Sequence, residues 1–269
     1  MTTTIEITRI TILEIIRMRI FQFFAVAILV TPIIALVFSN IFIFDIGKVR
    51  IDVFAAATRL LITSYILFVA VTLMGRDIGQ KSCYQFLMPP VSRHAYLTGR
   101  FAGLTFCMLM LMVVTMIAGE LLIALTLAET TEIYRHGITQ GQGFTLAILS
   151  FVQHISLLAM VIMICVWATG LAEMLVFSIA AIFLSWTLPP IIHALQNQEV
   201  MQHVPPLISS LTNSIGYIFP QLNGGDIAVA LAHGVNINST DILLHFTEHF
   251  SYALMMFVLA LIIFSRRDL

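Results

Sequence analysis

Apolar positions along this chain cluster into long runs separated by short polar stretches. A bilayer core takes about 20 apolar residues as a helix. Six runs meet that length: about Ile20 to Phe44, Val53 to Gly75, Phe101 to Leu127, Phe144 to Gly170, the stretch after the tight turn Leu171-Ala172-Glu173 to about Ala194, and His249 to Ser265. Pro32 is expected to bend the first span, with a neighbouring helix satisfying the carbonyl it frees. Ahead of it, residues Thr4 to Arg19 read as an amphipathic helix in the membrane interface, or as a cytosolic extension of the first span. There Ile5, Ile12, Leu13, Ile15 and Ile16 face lipid, and Glu6, Arg9, Glu14 and Arg17 face away. Residues 195–247 contain no Lys or Arg, and their apolar pieces are each too short to span. They read as an outer segment of re-entrant or surface helices, with Asp226 placed as an N-cap. The pattern predicts an all-α polytopic membrane protein. It has six transmembrane helices, an N-terminal amphipathic helix, and re-entrant or surface helices before the last span, in a single domain over residues 1–269.

Composition agrees. Of the 269 residues, 59% are hydrophobic and only 10% charged, and the mean hydropathy is +1.00. So few charges cannot cover a water-soluble domain. A net charge of -1 and the lack of a basic face exclude nucleic acid as a partner and leave the lipid bilayer. Cys83, Cys107 and Cys165 form no CxxC pair, so neither a disulfide framework nor a thiolate metal site is indicated. The first apolar run has no small-residue cleavage site and is expected to stay as a span.

Charge placement orients the chain. Arg9, Arg17, Arg19, Arg76, Lys81, Arg93, Arg100, Arg266 and Arg267 fall on one side of a six-span arrangement, against Lys48, Arg50 and Arg135 on the other. Basic residues beside spans are retained in the cytoplasm, which predicts both termini there.

The loop between the second and third spans, Gly75 to Arg100, reads GRDIGQKSCYQFLMPPVSRHAYLTGR and holds four of the thirteen Lys and Arg residues. Asp77 to Met88 has helical character, with Ile78, Cys83, Phe86 and Leu87 able to share a face. Pro89 and Pro90 end it, because proline lacks an amide hydrogen and restricts the residue before it. Ser92 is placed to cap a helix starting near His94.

The run Phe86-Leu87-Met88-Pro89-Pro90-Val91-Ser92-Arg93, followed by Tyr96 and Gly99-Arg100, resembles the loop between spans two and three of type-2 ABC exporter permeases. The similarity is to the branch linked to maturation of multi-copper enzymes. It runs from about Asp45 to Glu120. Asp77 stands at that family's acidic position, Arg100 replaces its usual Lys, and Gly79-Gln80 depart from its pattern. The resemblance implies that residues 76–97 form a cytoplasmic coupling loop, and that 1–19 form a connecting helix touching an ATPase. It implies ATPase-coupling roles for Asp77, Lys81, Tyr84, Phe86, Leu87, Pro90, Ser92, Arg93 and, in the next cytoplasmic turn, Glu173. It implies a bacterial cytoplasmic (inner) membrane location. It also implies ABC ATPase partners and a second permease subunit, with a homodimer favoured over a heterodimer. The chain has no GxxxxGK[ST] phosphate loop, so ATP and Mg would be bound by the partner, and this chain would carry no cofactor and no catalytic residue.

Three further constellations stand beside that reading. Arg59 and Glu120 lie at matched depth, about 10–12 Å from the outer ends of their spans at 1.5 Å per residue. They are expected to pair, either bracing two helices or lining a polar route. His245-Phe246-Thr247-Glu248-His249 fits HxxEH, in which two histidines share a helix face beside a glutamate. A membrane-embedded metalloprotease is therefore one alternative, although catalysis would need a third ligand. His245 and His249 are candidate ligands of an outer metal ion, with His233 or His203 as a third. Met108, Met110, Met112 and Met116 read as adaptable packing rather than a metal stripe. A membrane assembly factor without transport is the remaining alternative.

Overall fold

The computed structural model describes residues 2–42, 46–79, 91–129, 138–196, 219 and 239–267. The described residues are helical, with no strand among them. The helices are α1 (Thr2–Arg17), α2 (Arg19–Ser39), α3 (Ile46–Tyr65), α4 (Val71–Gly79), α5 (Arg93–Glu129), α6 (Gln142–Trp167), α7 (Leu171–Gln196) and α8 (Ser239–Arg266). A π turn, Ile66–Ala70, joins α3 to α4 in one continuous rod. Six of the rods are long and apolar enough to cross a membrane. The all-α, six-span architecture predicted from the pattern is thus what the chain adopts. The outer segment expected to be re-entrant lies outside the described residues, except for Phe219.

The spans are longer than the apolar runs alone suggested. The second rod runs from Ile46 to Ile78 as a span, so Lys48, Arg50 and Asp52 are helical rather than in an outer loop. The connection to the third span narrows correspondingly from 76–97: α4 continues to Gly79 and α5 already begins at Arg93. The last span starts ten residues before the expected His249. Polar residues extend a helix at no cost where water or another helix meets them, so hydropathy marks the bilayer core and not the helix ends.

The helices alternate in direction between two ends of the bundle. One end, called basic here, carries Arg76, Arg93, Arg266 and Arg267; the other is the far end. α6 is the central pillar, with 72% of its apolar window buried, while α7 and α8 are buried over 28% and 22% of theirs. The core gathers Ile28, Ile62, Tyr65, Ile66, Leu104, Leu111, Leu158 and Val161 between α2, the α3–α4 rod, α5 and α6. Met108 and Met112 point into this core and Met110 outward, as packing methionines should. Cys107 and Cys165 are buried free thiols.

Two local details differ from expectation. Pro32 leaves the Ile28 carbonyl without its helical donor, and the partner is not a neighbouring helix. The Thr31 hydroxyl of the same helix donates to it at 2.7 Å. In α1, Ile15 does not face lipid. Ile7, Thr11 and Ile15, spaced four apart, form the buried stripe, while Ile5 and Leu13 are exposed. The stripe lies on α5 at Gly99 and Gly103, where a Cβ would come within 2.7 Å of Ile7 Cγ2 and 2.6 Å of Thr11 Cβ. This Gly-x-x-x-Gly spacing lets two helix backbones approach closely.

Candidate functional site

The basic end holds the densest polar constellation among the described residues. It is assembled from α1, α4 and α5. Arg100, 2% exposed, sits two turns inside α5 and reaches three ways. One terminal nitrogen pairs with Asp77 Oδ2 at 2.7 Å. The other pairs with Glu14 Oε2 at 2.8 Å and donates to Thr11 Oγ1 at 3.2 Å. Its Nε donates to the Tyr96 hydroxyl at 3.4 Å, and the guanidinium carbon lies 5.6 Å from the centre of the Tyr96 ring. Tyr96, one turn earlier on α5, donates its hydroxyl to the same Asp77 oxygen. The second Glu14 oxygen pairs with Arg76 on α4. Two cations and two carboxylates therefore cancel. Burial is tolerable because every charge meets an opposite one with hydrogen-bond geometry.

The π turn matters here. One extra residue in the rod rotates everything beyond it by about 100° relative to an uninterrupted helix. That rotation sets the face on which Asp77 meets Arg100. The turn is itself braced, since Tyr65 just before it donates to the Leu104 carbonyl of α5 at 3.1 Å and meets the edges of Phe21 and Phe24.

Arginines also close helix ends at this side. Arg93, in the first turn of α5, donates to the carbonyls of Arg267 at 2.7 Å and Ser265 at 3.0 Å, and reaches Phe264 O at 3.5 Å. Arg267 in turn donates to the Val166 carbonyl at the end of α6. The last carbonyls of a helix lack internal donors and carry its negative dipole end, so cations satisfy both needs. Tyr96 stacks on Phe264, with ring centres 5.9 Å apart, and draws α8 onto the cluster.

The residues assigned a coupling role fall into three groups. Lys81, Tyr84, Phe86, Leu87 and Pro90 lie outside the described residues. Ser92 caps α5 as expected, accepting from the Ala95 amide at 3.2 Å. Asp77, Arg93 and Glu173 bond within the chain. Asp77 is buried against Arg100, and Arg93 caps α8. Glu173 is exposed in the first turn of α7 and folds back on Thr169, accepting from its amide at 2.9 Å and its hydroxyl at 2.7 Å. The roles of Arg100, Tyr96 and Glu14 were not foreseen. The available signal was opposite charges just outside apolar runs in a chain with few charges to spend.

At the far end, Arg50 is buried on α3 and donates to Ser39 Oγ of α2 at 3.0 Å, Thr126 Oγ1 at 3.4 Å and Glu129 Oε2 of α5 at 2.8 Å. Glu120 is held by the start of α6. Its oxygens accept from the amides of Gly141 at 3.2 Å and Phe144 at 3.0 Å, complementing that helix's positive end. Gly141 has φ 93°, a left-handed conformation that favours glycine, as the chain turns into α6. Arg59 sits half-buried on α3.

His245 and His249 meet edge to face with ring centres 4.4 Å apart and turn inward to α6. His245 Nε2 lies 3.4 Å from the Leu149 carbonyl, which can only accept, so that nitrogen donates. Ser156 spends its one hydroxyl hydrogen on the Gln153 carbonyl at 2.6 Å, so His249 Nδ1 donates to Ser156 Oγ at 3.0 Å. Buried His154 donates from Nδ1 to Ser150 O at 2.6 Å, since a carbonyl can only accept, and its Nε2 lies 3.4 Å from Thr63 Oγ1. Glu248 is exposed. Among the described residues no group of three or more His, Cys, Asp or Glu is placed to hold a metal ion. His203 and His233 lie outside them.

The chain matches no protein-family model and no curated protein. What stands on its own geometry is the class: a multi-pass helical membrane protein with a charge-balanced cluster at its basic end, built around the buried Arg100–Asp77 pair.

Proposed function

We propose that this chain is the permease subunit of an ATP-driven exporter of the type-2 ABC class, in the bacterial inner membrane with its basic end in the cytoplasm. Separate ATPase subunits, holding ATP and Mg, dock beneath residues 80–90, and a second permease subunit, most simply another copy, completes the route. The chain itself hydrolyses nothing. It converts ATPase closure into a change of helix packing.

The observation that supports this reading is the clasp around Arg100. A lever transmits force only if its mounting is stiff. In sequence, residues 80–90 join α4 to α5, and the described residues on both sides of them are fixed: Asp77, three residues before, is tied to Arg100 and Tyr96, and Ser92, two residues after, caps α5. Glu14 extends the same clasp to α1. A push on the segment is thus delivered to three helices at once. The metalloprotease alternative lacks comparable support, because Glu248 is exposed while both histidines bond inward to α6. The non-transporting assembly factor remains the reading that a negative result would favour.

The test uses Phe86, whose apolar ring beside Leu87 suits a groove on a partner. Phe86→Asp would place an unpaired charge there. Insertion and folding are expected to be unchanged, while co-purification of an ATPase and stimulated ATP hydrolysis should both drop at least about tenfold, a loss of roughly 1.4 kcal/mol or more. Tyr84→Ser should be milder. Wild-type protein that brings down no ATPase, or a Phe86→Asp variant that binds it unchanged, would remove the proposal.

A further inference from the structure

α7 and α8 each pack on α6 but leave a gap between them. The gap is a groove with a cavity of about 540 Å³, within the range of small-molecule sites, and its lining is apolar. Each helix contributes one face. Met163 and Trp167 lie four apart on α6, Phe177 and Ala180 three apart on α7, and Met256 and Ile263 seven apart on α8; Phe219 also lines it. From Met256 to Ile263 the groove runs about 10 Å at 1.5 Å per residue, most of the depth of one leaflet. Its ends differ in chemistry. At the basic end Trp167 meets Phe177 with ring centres 5.4 Å apart, and tryptophan is an aromatic enriched at membrane interfaces. Arg266 lies three residues beyond Ile263, hence one turn further out on the same face of α8, and it is exposed. Arg267 and Arg93 stand beside it at the α6 and α8 ends. Glu173, one turn before Phe177, is the acid at this mouth, and it is engaged with Thr169. The described residues around the mouth therefore carry three cations and one anion; Asp268 lies outside them.

We propose that this groove holds one acyl chain of an anionic phospholipid from the leaflet at the basic end, with Arg266 facing the phosphate. An apolar slot in contact with hydrocarbon has no solvent to exclude, so the slot alone gives little selectivity. The cation at its mouth supplies it. The inference is independent of the exporter reading, since it concerns the bilayer and not an ATPase.

Trp186 is the second tryptophan, on α7, and Trp186→Phe leaves Trp167 as the reporter. This variant, in vesicles containing phospholipids brominated on the acyl chain, should be quenched by phosphatidylglycerol at about fivefold lower mole fraction than by phosphatidylcholine, the effect of one cation near a membrane surface. Ala180 is exposed in the groove, so Ala180→Phe fills it without breaching the core; it should bring the two lipids to parity. Arg266→Gln, outside the groove, should do the same with the groove left open. Equal quenching by both lipids before either substitution overturns the proposal, as does a preference that survives both. Native mass spectrometry separates the other occupant: a dimer that Ala180→Phe converts to monomer would assign the groove to a second copy of the chain and overturn lipid binding.

Discussion

Each end of the bundle is held by one buried arginine that reaches across helices, and the two differ in what they meet. At the basic end Arg100 faces two carboxylates: Asp77, 2% exposed in its side chain, and Glu14, 24% exposed. At the far end Arg50 faces two hydroxyls and one carboxylate, Glu129, which is 57% exposed. Remove Arg50 and the remaining carboxylate is still in water. Remove Arg100 and Asp77 is left buried without its ion-pair partner, next to the Tyr96 hydroxyl. The cost of breaking a pair depends less on the pair's length than on where the abandoned partner is left. The basic end is therefore the rigid one, and it is also where α4 ends and α5 begins.

The sharpest test of this difference is Arg100→Met. It should lower stability by about 3–5 kcal/mol, read as thermal unfolding in detergent, because it strands buried Asp77. Adding Asp77→Leu should recover part of the loss, while Glu14 keeps Arg76; a double variant no better than the single one would deny that the stranded charge is the cause. Gly103→Val comes next. Its new side chain would meet Thr11 Cβ at 2.6 Å or less and lift α1 from α5, for about 1–3 kcal/mol. Stability unchanged by that substitution would mean α1 is not held by close backbone approach. The far end should give the smallest effects. Arg50→Met should lose about 1–2 kcal/mol in hydrogen bonds, and Glu129→Gln less than about 1 kcal/mol, as for an exposed pair. An Arg50→Met loss as large as that of Arg100→Met would erase the distinction between the two ends.

Much of the architecture was legible because a bilayer imposes a simple rule. Backbone groups in hydrocarbon must be satisfied within the segment, so a long apolar run is a helix. Six such runs gave six spans, and Ser92 acted as the cap its position suggested. The site was less legible. Asp77 was readable as an acid near a span end, but nothing local says that it turns inward to Arg100, 23 positions on by numbering, rather than outward to a partner. Arg93 was read as a contact for another protein, and what the fold adds is that it closes α8, whose end is more than a hundred and seventy residues away. Pairings over such separations depend on which helices become neighbours. They depend also on the π turn at Ile66–Ala70, whose extra residue rotates Asp77 and which no periodicity in the run announced.

By itself the sequence determined that the chain is a helical, multi-pass membrane protein, because apolar length and scarcity of charge leave no other way to satisfy its backbone and surface. It also marked several of the short stretches between spans, since charges and prolines concentrate there, although Pro32, Pro189, Pro190, Arg50 and Glu120 sit within helices. Only the tertiary structure decided which of those charges are surface and which are core. Arg100 and Arg76 look alike in sequence, yet α1 settles into Gly99 and Gly103 and covers the first while leaving the second 41% exposed. The physical reason is that burial belongs to the packing of neighbours. A charge joins the core when another helix closes over it with an opposite charge in place, and no single stretch of chain contains both halves of that event.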